Sequence, residues 1–424
     1  MTRQSDGRER KRVLFVAEAI TLAQVVRLVT LSQSLDPARY DVHFACGDFD
    51  AIAFSGTALA PIPLFTVERT QALRQVERGE RLYEKDVLVR YVEDELRLFE
   101  RIEPDLVVGD FRLSLAISAR RAGIPLASLI NAYFSPYAER DGFPMPDHPL
   151  VSLLGAERAA RYFPRALPAV FARFVAPIDA VRKRYGLPPT GDLLQALCDG
   201  DHTLYPDVPE LCPTRGLPRN HHYLGHVGWA PHLPLPDFLS DRGDRPLIYV
   251  TLGSSGRISA LDTVLRVLSE LQVFTVVASA GRFERPHLPN NVRVTSYVPG
   301  DVVARRAQVV VTNGGASTSY QALAQGTPVL GIPSNLDQYL AMTAIERASA
   351  GRLVRSGEAT ETAVRNAFVE VSSSDALKKG AGTVAAAFAR ANAQTRFADF
   401  VEGVLSSADS TNHGRLRDSE GHVR

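Results

Sequence analysis

The sequence predicts an α/β protein with two doubly wound domains, each built on a parallel sheet with helices on both faces. In both halves of the chain, short β-branched runs alternate with stretches whose apolar residues have helical spacing. Between the halves, residues 217–245 are rich in proline, glycine and histidine and lack periodicity, which is typical of an interdomain linker. Because 424 residues with a hydrophobic fraction of 45% can supply two cores, we expect one domain on each side of this linker.

The first domain is predicted over residues 12–216. It opens with a strand, a helix with apolar residues at Val25 and Val29, and a second strand, and this unit then recurs. The predicted strands are residues 13–17, 41–45, 104–111 and 125–130. Residues 131–150 leave the last strand as a loop too long for a simple connector, so we interpret them as one wall of a ligand site, with a packed surface loop as the alternative.

The stretch of residues 157–184 has helical spacing and combines aromatic residues with many arginines. A basic amphipathic helix of this kind can lie on a membrane surface. Its three prolines, Pro164, Pro168 and Pro177, interrupt a clean pattern, so we favour core helices with solvated arginines. Peripheral membrane contact stays open as the alternative.

The second domain is predicted over residues 246–385. Its predicted strands begin at residues 247, 273, 292, 309 and 327, and the first of them ends in a glycine- and serine-rich loop. The last helix is predicted over residues 376–404. The terminal residues 1–11 and 406–424 are polar with few apolar residues, which predicts disordered tails.

Charge and cysteine content argue against several classes of protein. The 48 Lys and Arg residues nearly balance the 47 Asp and Glu residues, which is not the charge of a dedicated nucleic-acid binder. Cys46, Cys198 and Cys212 fit neither a disulfide framework nor a zinc spacing, so we expect a reducing cytoplasm. The polar start lacks the apolar core of a signal peptide, and no run is long enough to span a membrane.

The most informative stretch is residues 309–338. A buried strand runs into Gly314 and Gly315, which permit a tight turn and a close approach to a ligand. The serines and threonine that follow suit the first turn of a helix, whose N–H groups and dipole favour a phosphate without a metal ion. A second strand leads to Asp337 and Gln338, at the sheet edge where ligands bind in such folds.

This stretch resembles the donor-site signature of the family-one nucleotide-sugar glycosyltransferases, which reads His-Gly-Gly, a Gly/Ser/Thr cluster, Glu-Ala-Leu, Gly-x-Pro and Asp-Gln. Here it reads Asn313-Gly314-Gly315-Ala316-Ser317-Thr318, Gln321-Ala322-Leu323, Gly326-Thr327-Pro328 and Asp337-Gln338. The resemblance implies a GT-B architecture, in which two Rossmann-like domains face each other across a cleft and a C-terminal helix, residues 386–405, returns to the first domain. It also implies a UDP- or TDP-sugar as co-substrate and no further cofactor or metal.

The resemblance further implies roles for individual residues of the second domain. The phosphates would contact Ser254, Ser255, Asn313, Gly314, Gly315, Ser317 and Thr318, the nucleoside Tyr297, Val298 and Gln321, and the sugar Asp337 and Gln338. Asn313 stands where the family has histidine, and Gln321 where it has glutamate. Both changes remove charge but keep hydrogen-bonding groups, so we expect donor contacts that are weakened rather than lost.

The proton acceptor departs further from the family pattern, in which a histidine after the first strand pairs with an aspartate after a later one. The apolar register puts Gln24 at the histidine and Asp110 at the aspartate. Glutamine cannot act as a general base, so Asp110 is the first candidate, directly or through water, although alone it could equally be a helix cap. Glu18 and His148 are further candidates.

We therefore interpret the chain as an inverting, metal-independent glycosyltransferase that moves a sugar to a hydroxyl of a small hydrophobic acceptor, a natural product or a lipid. The substitutions at Gln24, Asn313 and Gln321 leave open a non-catalytic helper or binding subunit. A nucleotide-sugar epimerase, which shares the two-domain architecture, is a third alternative. The Asp337-Gln338 pair favours the transferase over it.

Overall fold

The computed structural model describes residues 10–147, 156–251, 258–281 and 287–420. In these ranges the strands are β1 Lys11–Ala17, β2 Tyr40–Cys46, β3 Ile62–Pro63, β4 Leu106–Asp110, β5 Leu126–Leu129, β6 His202–Tyr205, β7 His221–Tyr223, β8 Leu247–Thr251, β9 Phe274–Ala278, β10 Val292–Thr295, β11 Val309–Thr312, β12 Val329–Gly331 and β13 Gly351–Leu353. The helices are α1 Leu22–Ser32, α2 Arg69–Arg78, α3 Lys85–Ile102, α4 Leu115–Ala122, α5 Ala156–Arg184, α6 Leu193–Leu197, α7 Ile258–Ser269, α8 Gly300–Arg306, α9 Ala316–Leu323, α10 Leu336–Arg347, α11 Glu361–Ser373, α12 Asp375–Ala391 and α13 Ala393–Glu420.

Two parallel sheets organise these elements, as the sequence predicts. The first has the order β3-β2-β1-β4-β5-β6-β7, and the second the order β10-β9-β8-β11-β12-β13. The central strands β4, β8 and β11 are buried along their whole length, because helices cover both faces of each sheet. The α/β fold class with two doubly wound domains is therefore confirmed.

The strand order of each sheet reverses once, and this reversal fixes where a ligand can bind. In the first sheet it lies between β1 and β4, and in the second between β8 and β11. Connections leave the sheet in opposite directions on either side of such a point and open a crevice above the carboxyl ends of the strands. The segments that follow β1, β4 and β11 thus become the natural walls of a site.

The first domain extends further than predicted. Strand β7 falls inside the predicted linker, residues 217–245, and pairs in parallel with β6 through Leu204 and His222. It is a half-buried edge strand of three residues, HHY, too short to show any alternation of apolar and polar residues. The boundary predicted at residue 216 is consequently too early.

The C-terminal helical region also differs from the prediction. The chain breaks at Asn392, whose left-handed φ of 45° separates α12 from α13. Helix α13 packs on the first domain, where the rings of Phe397 and Phe15 lie 5.8 Å apart. The helix continues to Glu420, although residues 406–424 have the composition of a disordered tail. The polar composition means that the segment can bury little apolar surface. It does not prevent a helix, because the segment contains no proline.

Helix α5 runs as a single helix through Pro164, Pro168 and Pro177, the prolines that interrupt the amphipathic pattern of the sequence. Pro164 and Pro168 lie on the exposed side of the helix, and Pro177 is buried. Near this exposed side Tyr162 keeps 57% of its surface accessible. Among the residues that the structure describes, no helix has the length and apolarity needed to cross a membrane.

Candidate functional site

Polar side chains from both domains meet where the carboxyl edges of the two sheets face each other. Asp110 is the last residue of β4, and Arg27 lies on α1, which follows β1. Asn131 and Tyr133 follow β5, and Asp207 follows β6. The second domain contributes Tyr320 from α9 and Asp337 from α10. These seven residues form the candidate site.

Asp110 is fully buried and bound by one arginine. The Nε and Nη2 groups of Arg27 donate to its two carboxylate oxygens, each at 2.8 Å. Burial raises the pKa of Asp110 to about 6, and the positive charge of Arg27 opposes that increase. At neutral pH the carboxylate is therefore ionised, in a form that can accept a proton.

A second buried carboxylate, Asp207, connects this pair to the other domain. Arg27 donates from Nη1 to Asn131 Oδ1 at 2.8 Å, and Asn131 Nδ2 donates to Asp207 at 3.2 Å. Asp207 also accepts from the Ala132 amide at 2.7 Å and from the Tyr320 hydroxyl at 2.6 Å. An unbroken chain of hydrogen bonds thus runs from the first sheet to helix α9 of the second domain.

The loop that follows β5 reaches across to the second domain at several points. The Tyr133 hydroxyl donates to Asp337 Oδ1 at 2.7 Å. Further along, Asp147 accepts from the Tyr339 hydroxyl at 2.7 Å and from Arg355 at 3.0 Å. The loop predicted as one wall of a ligand site is therefore fixed against α10. Burial raises the pKa of Asp337, and the Tyr133 hydrogen bond opposes that increase.

The turn before α9 has the shape that its glycines predict. Gly314 has a φ of +81°, and a Cβ atom there would lie 2.7 Å from Met342 Cγ, so only glycine fits. Thr312 Oγ1 accepts from the Gly314 amide at 2.8 Å, and Asn313 Oδ1 from the Gly315 amide at 3.1 Å. Among the residues that the structure describes, no side chain caps α9, so its first-turn amides, which include those of Ser317 and Thr318, can receive an anion.

The residues predicted to contact the nucleoside have described contacts with other parts of the chain. Gln321 donates from Nε2 to the Trp229 carbonyl at 2.7 Å. Val298 is buried in the core, and the Tyr297 hydroxyl donates to Asp50 of the first domain at 3.0 Å. Tyr297 and Gln321 thus both contact segments outside the second domain's sheet.

Two predicted residues of the site have local structural roles. Gln338 is 1% exposed, and its Oε1 accepts from the Ser334 amide at 2.9 Å. Gln24 Oε1 accepts from the amides of Ile20 and Thr21, each at 3.0 Å, and so satisfies N–H groups at the start of α1. Ser254, Ser255 and His148 lie outside the described residues.

Glu18 belongs to a different cluster, inside the first domain. Its Oε1 accepts from the Tyr91 hydroxyl at 2.8 Å, and its Oε2 lies 3.6 Å from Arg112 Nη1. Arg112 Nε donates to Glu95 at 2.6 Å. Burial raises the pKa of Glu18 to about 7. The partners described for Glu18, Tyr91 and Arg112, belong to this interior cluster and not to the candidate site.

The sequence did not identify Arg27, Asn131, Tyr133, Asp207 and Tyr320 as site residues. A signal was present for two of them. Asp207 comes two residues after the end of β6, at the same sheet edge as Asp110, and Arg27 is the only charged residue of α1. Strand β6 has only four residues and was not predicted, so the position of Asp207 could not be used.

Comparison with known proteins places the chain among sugar-transferring enzymes. A family model for the C-terminal domain of proteins like erythromycin biosynthesis protein CIII matches residues 259–402. A PGL/p-HBAD biosynthesis rhamnosyltransferase of Mycobacterium tuberculosis (strain ATCC 25177 / H37Ra) is 45% identical over 388 residues, which are 90% of this chain and 85% of the relative. A protein of Mycobacterium bovis (strain BCG / Pasteur 1173P2), named an inactive PGL/p-HBAD biosynthesis glycosyltransferase, is 44% identical over 261 residues, 61% of this chain and 71% of its own length.

Solved structures match the fold at much lower identity. The spinosyn forosaminyltransferase SpnP has a TM-score of 0.68 at 19% identity and covers 94% of this chain and 100% of its own. The spinosyn rhamnosyltransferase SpnG, complexed with thymidine diphosphate, has a TM-score of 0.64 at 18% identity and covers 91% of this chain and 99% of its own. These likenesses confirm the two-domain fold.

Proposed function

Because the chain belongs to the family-one nucleotide-sugar glycosyltransferases, we propose that it transfers a sugar, with inversion and without a metal ion, from a UDP- or TDP-sugar to a hydroxyl of a small hydrophobic acceptor. One observation carries this proposal. The hydrogen-bond chain through Asp207 joins the Asp110 carboxylate to Tyr320 on α9, the helix whose start can receive a phosphate. These hydrogen bonds thus fix the ionised Asp110 carboxylate relative to an anion site on the other side of the cleft.

On the donor side, the proposal assigns the diphosphate to the start of α9. Its first-turn amides and the positive end of the helix dipole would stabilise the negative charge that develops as the diphosphate leaves. Asp337 would accept hydrogen bonds from hydroxyls of the sugar in place of, or beside, that from Tyr133. Support for a thymidine nucleotide comes from SpnG, whose solved complex contains thymidine diphosphate.

On the acceptor side, the proposal assigns the proton to Asp110. The acceptor oxygen attacks the anomeric carbon from the face opposite the diphosphate, the bond to the diphosphate breaks, and the hydroxyl proton passes to Asp110, directly or through water. Each carboxylate oxygen has more than one lone pair, so Asp110 can take this proton while it keeps a hydrogen bond from Arg27. Arg27 then acts as the residue that orients the base.

The test combines calorimetry with product analysis. The purified protein is titrated with UDP, TDP and their glucose and rhamnose derivatives, and the donor that binds is incubated with a panel of hydrophobic alcohols and phenols. We expect binding of one nucleotide and a glycoside of inverted anomeric configuration. A product with retained configuration would refute the mechanism, and a folded protein that binds no nucleotide would refute the whole proposal.

A non-catalytic binding subunit is the second candidate. Gln24 at the position of the family's base favours it, and so does the relative whose name describes it as inactive. The same experiment separates the two functions. A protein that binds a nucleotide sugar tightly, forms no glycoside with any acceptor and gains no activity from Gln24→His would be such a subunit.

A further inference from the structure

A pocket of about 280 Å³ lies beside the sugar site, on the other side of Tyr133. The loop after β5 forms one wall, the segment around Leu211 and Pro213 a second, and the C-terminal half of α10 a third. Its apolar lining residues are Tyr133, Phe143, Pro144, Leu211, Pro213 and Leu340. The interior therefore suits an apolar ring or short chain rather than a fully hydrated group.

Arg140 gives this pocket an uncompensated positive charge. Its guanidinium lies 4.4 Å from the centre of the Phe143 ring and donates to the carbonyls of Tyr133 and Ser135. No carboxylate within the described ranges forms an ion pair with it, and Asp192 attracts it only from a greater distance. Burial lowers the pKa of Arg140. A partly buried cation in this state is stabilised by any anion that can reach it.

The other charges around the pocket already have partners. Arg347 pairs with Asp141, and Glu139 accepts from Arg215 at 3.1 Å. Among the described lining residues, Arg140 is thus the cation without a carboxylate partner. An incoming anion would pair with it. The planar guanidinium uses one N–H of Nη1 and one of Nη2 for the two carbonyls, which leaves N–H groups for a planar acid.

We propose that this pocket binds a small carboxylic acid with an aromatic or alicyclic body, and that Arg140 is the counter-ion of its carboxylate. Tyr133 would transmit the binding to the sugar site, because its backbone carbonyl accepts from Arg140 and its hydroxyl donates to Asp337. The binding is independent of the transferase activity, whereas the link to the sugar rests on the proposed function. The acid can be one end of the acceptor or a separate molecule.

Benzoate is the probe, and benzamide is its neutral control of the same shape. We expect calorimetric binding of benzoate to the wild-type protein and binding of benzamide that is at least about tenfold weaker. Arg140→Gln should weaken benzoate binding by about the same factor, and Arg140→Lys less. Arg390→Gln is the matched control, since Arg390 is an exposed arginine that pairs with Glu210, and neither residue lines the pocket.

A second variant guards against a folding defect in Arg140→Gln. Thr343→Leu places a larger side chain in the pocket from α10, away from Arg140, and should also abolish benzoate binding. The proposal is wrong if benzoate does not bind, if benzamide binds equally well, or if Arg140→Gln leaves the affinity unchanged.

The link to the sugar site is tested by the same titration with and without the donor. Benzoate should change the affinity for the nucleotide sugar, the sugar should change the affinity for benzoate by the same factor, and Tyr133→Phe should remove this coupling. Transfer to a hydroxy acid that depends on Arg140 would identify the acid as part of the acceptor. An effect of benzoate on transfer to a neutral alcohol would identify a separate molecule. Benzoate binding without sugar transfer would refute the proposed function and not this site.

Discussion

The carboxyl edge of the first sheet holds two buried arginine–carboxylate clusters that differ in where their hydrogen bonds lead. In the cleft cluster, Arg27 binds Asp110, and the chain of hydrogen bonds continues through Asp207 into the second domain. In the interior cluster, Arg112 binds Glu95 and lies near Glu18, and every partner is in the first domain. Both clusters thus bury charge, and the cleft cluster is the one whose hydrogen bonds cross to the second domain.

The difference separates a charge that serves the fold from one that can serve a reaction. Glu95 accepts from Ser114 and from Ser118 at 2.6 Å, so the interior cluster ties α3 to the start of α4. A buried network of hydrogen bonds and ion pairs of this kind holds elements in one arrangement. The cleft cluster instead ends at groups that the proposal assigns to the two substrates, Asp110 and the helix of Tyr320.

The largest effect should follow from Asp110→Asn. If Asp110 takes the acceptor's proton, the rate of transfer should fall by about 10²- to 10⁴-fold, because the amide cannot accept it. Turnover is measured with saturating donor, and circular dichroism checks the fold. Wild-type turnover in Asp110→Asn would assign the proton to another residue. Glu95→Gln is the matched control from the interior cluster, and it should affect stability more than turnover.

Arg112→Met tests the opposite side of the comparison. It leaves Glu95 and Glu18 buried without their cation, so the free energy of unfolding should fall by about 3–5 kcal/mol. Urea denaturation measures this change. Any loss of turnover should disappear under conditions in which the variant is fully folded. A variant as stable as the wild type would mean that the interior cluster does not stabilise the fold.

Asp207→Asn should give an intermediate effect, because it weakens the hydrogen-bond chain between the two domains without changing the base. The amide loses charge assistance to the hydrogen bonds from Tyr320 and Ala132, so we expect about a tenfold loss in kcat/KM. The separation of kcat from KM for donor and acceptor shows which substrate is misplaced. Tyr320→Phe is the partner variant, and in a double-mutant cycle the two losses should not add.

The pH dependence should also separate the clusters. Burial raises the pKa of Asp110 to about 6, so kcat/KM should fall about tenfold for each pH unit below 6 as the carboxylate is protonated. Glu18→Gln should leave this acid limb in place. The contribution of Asp110 to the free energy of unfolding changes with pH in the opposite direction to kcat/KM. Between pH 3.8 and about 6 the folded state binds the Asp110 proton more tightly than the unfolded state, so the free energy of unfolding falls as pH rises. An acid limb that survives in an active Asp110→Asn variant would contradict the assignment.

The sequence predicted strands and turns well where local chemistry determines them. Gly314 is required by its positive φ and by Met342, Asp110 ends β4, and Asp337 lies in the first turn of the helix that follows β12. It could not predict their partners. Arg27 and Asp110 are 83 residues apart, and Tyr133 and Asp337 are 204 apart. Pairing at such separations depends on how helices pack on the sheets, which no local pattern records.

Substitution of Gln24 should have the smallest effect, and it tests whether residue 24 takes part in the chemistry of the cleft cluster. Gln24→Ala removes the acceptor of the Ile20 and Thr21 amides, so the free energy of unfolding should fall by about 1 kcal/mol, with transfer close to the wild-type rate. Gln24→His removes the same acceptor. Because Asp110, held by Arg27, already acts as the base in this proposal, the histidine adds no group that the reaction lacks, and we expect no gain in turnover. A rise in turnover, measured at saturating donor, would show that the histidine displaces Arg27 and that the base of the family can still function here.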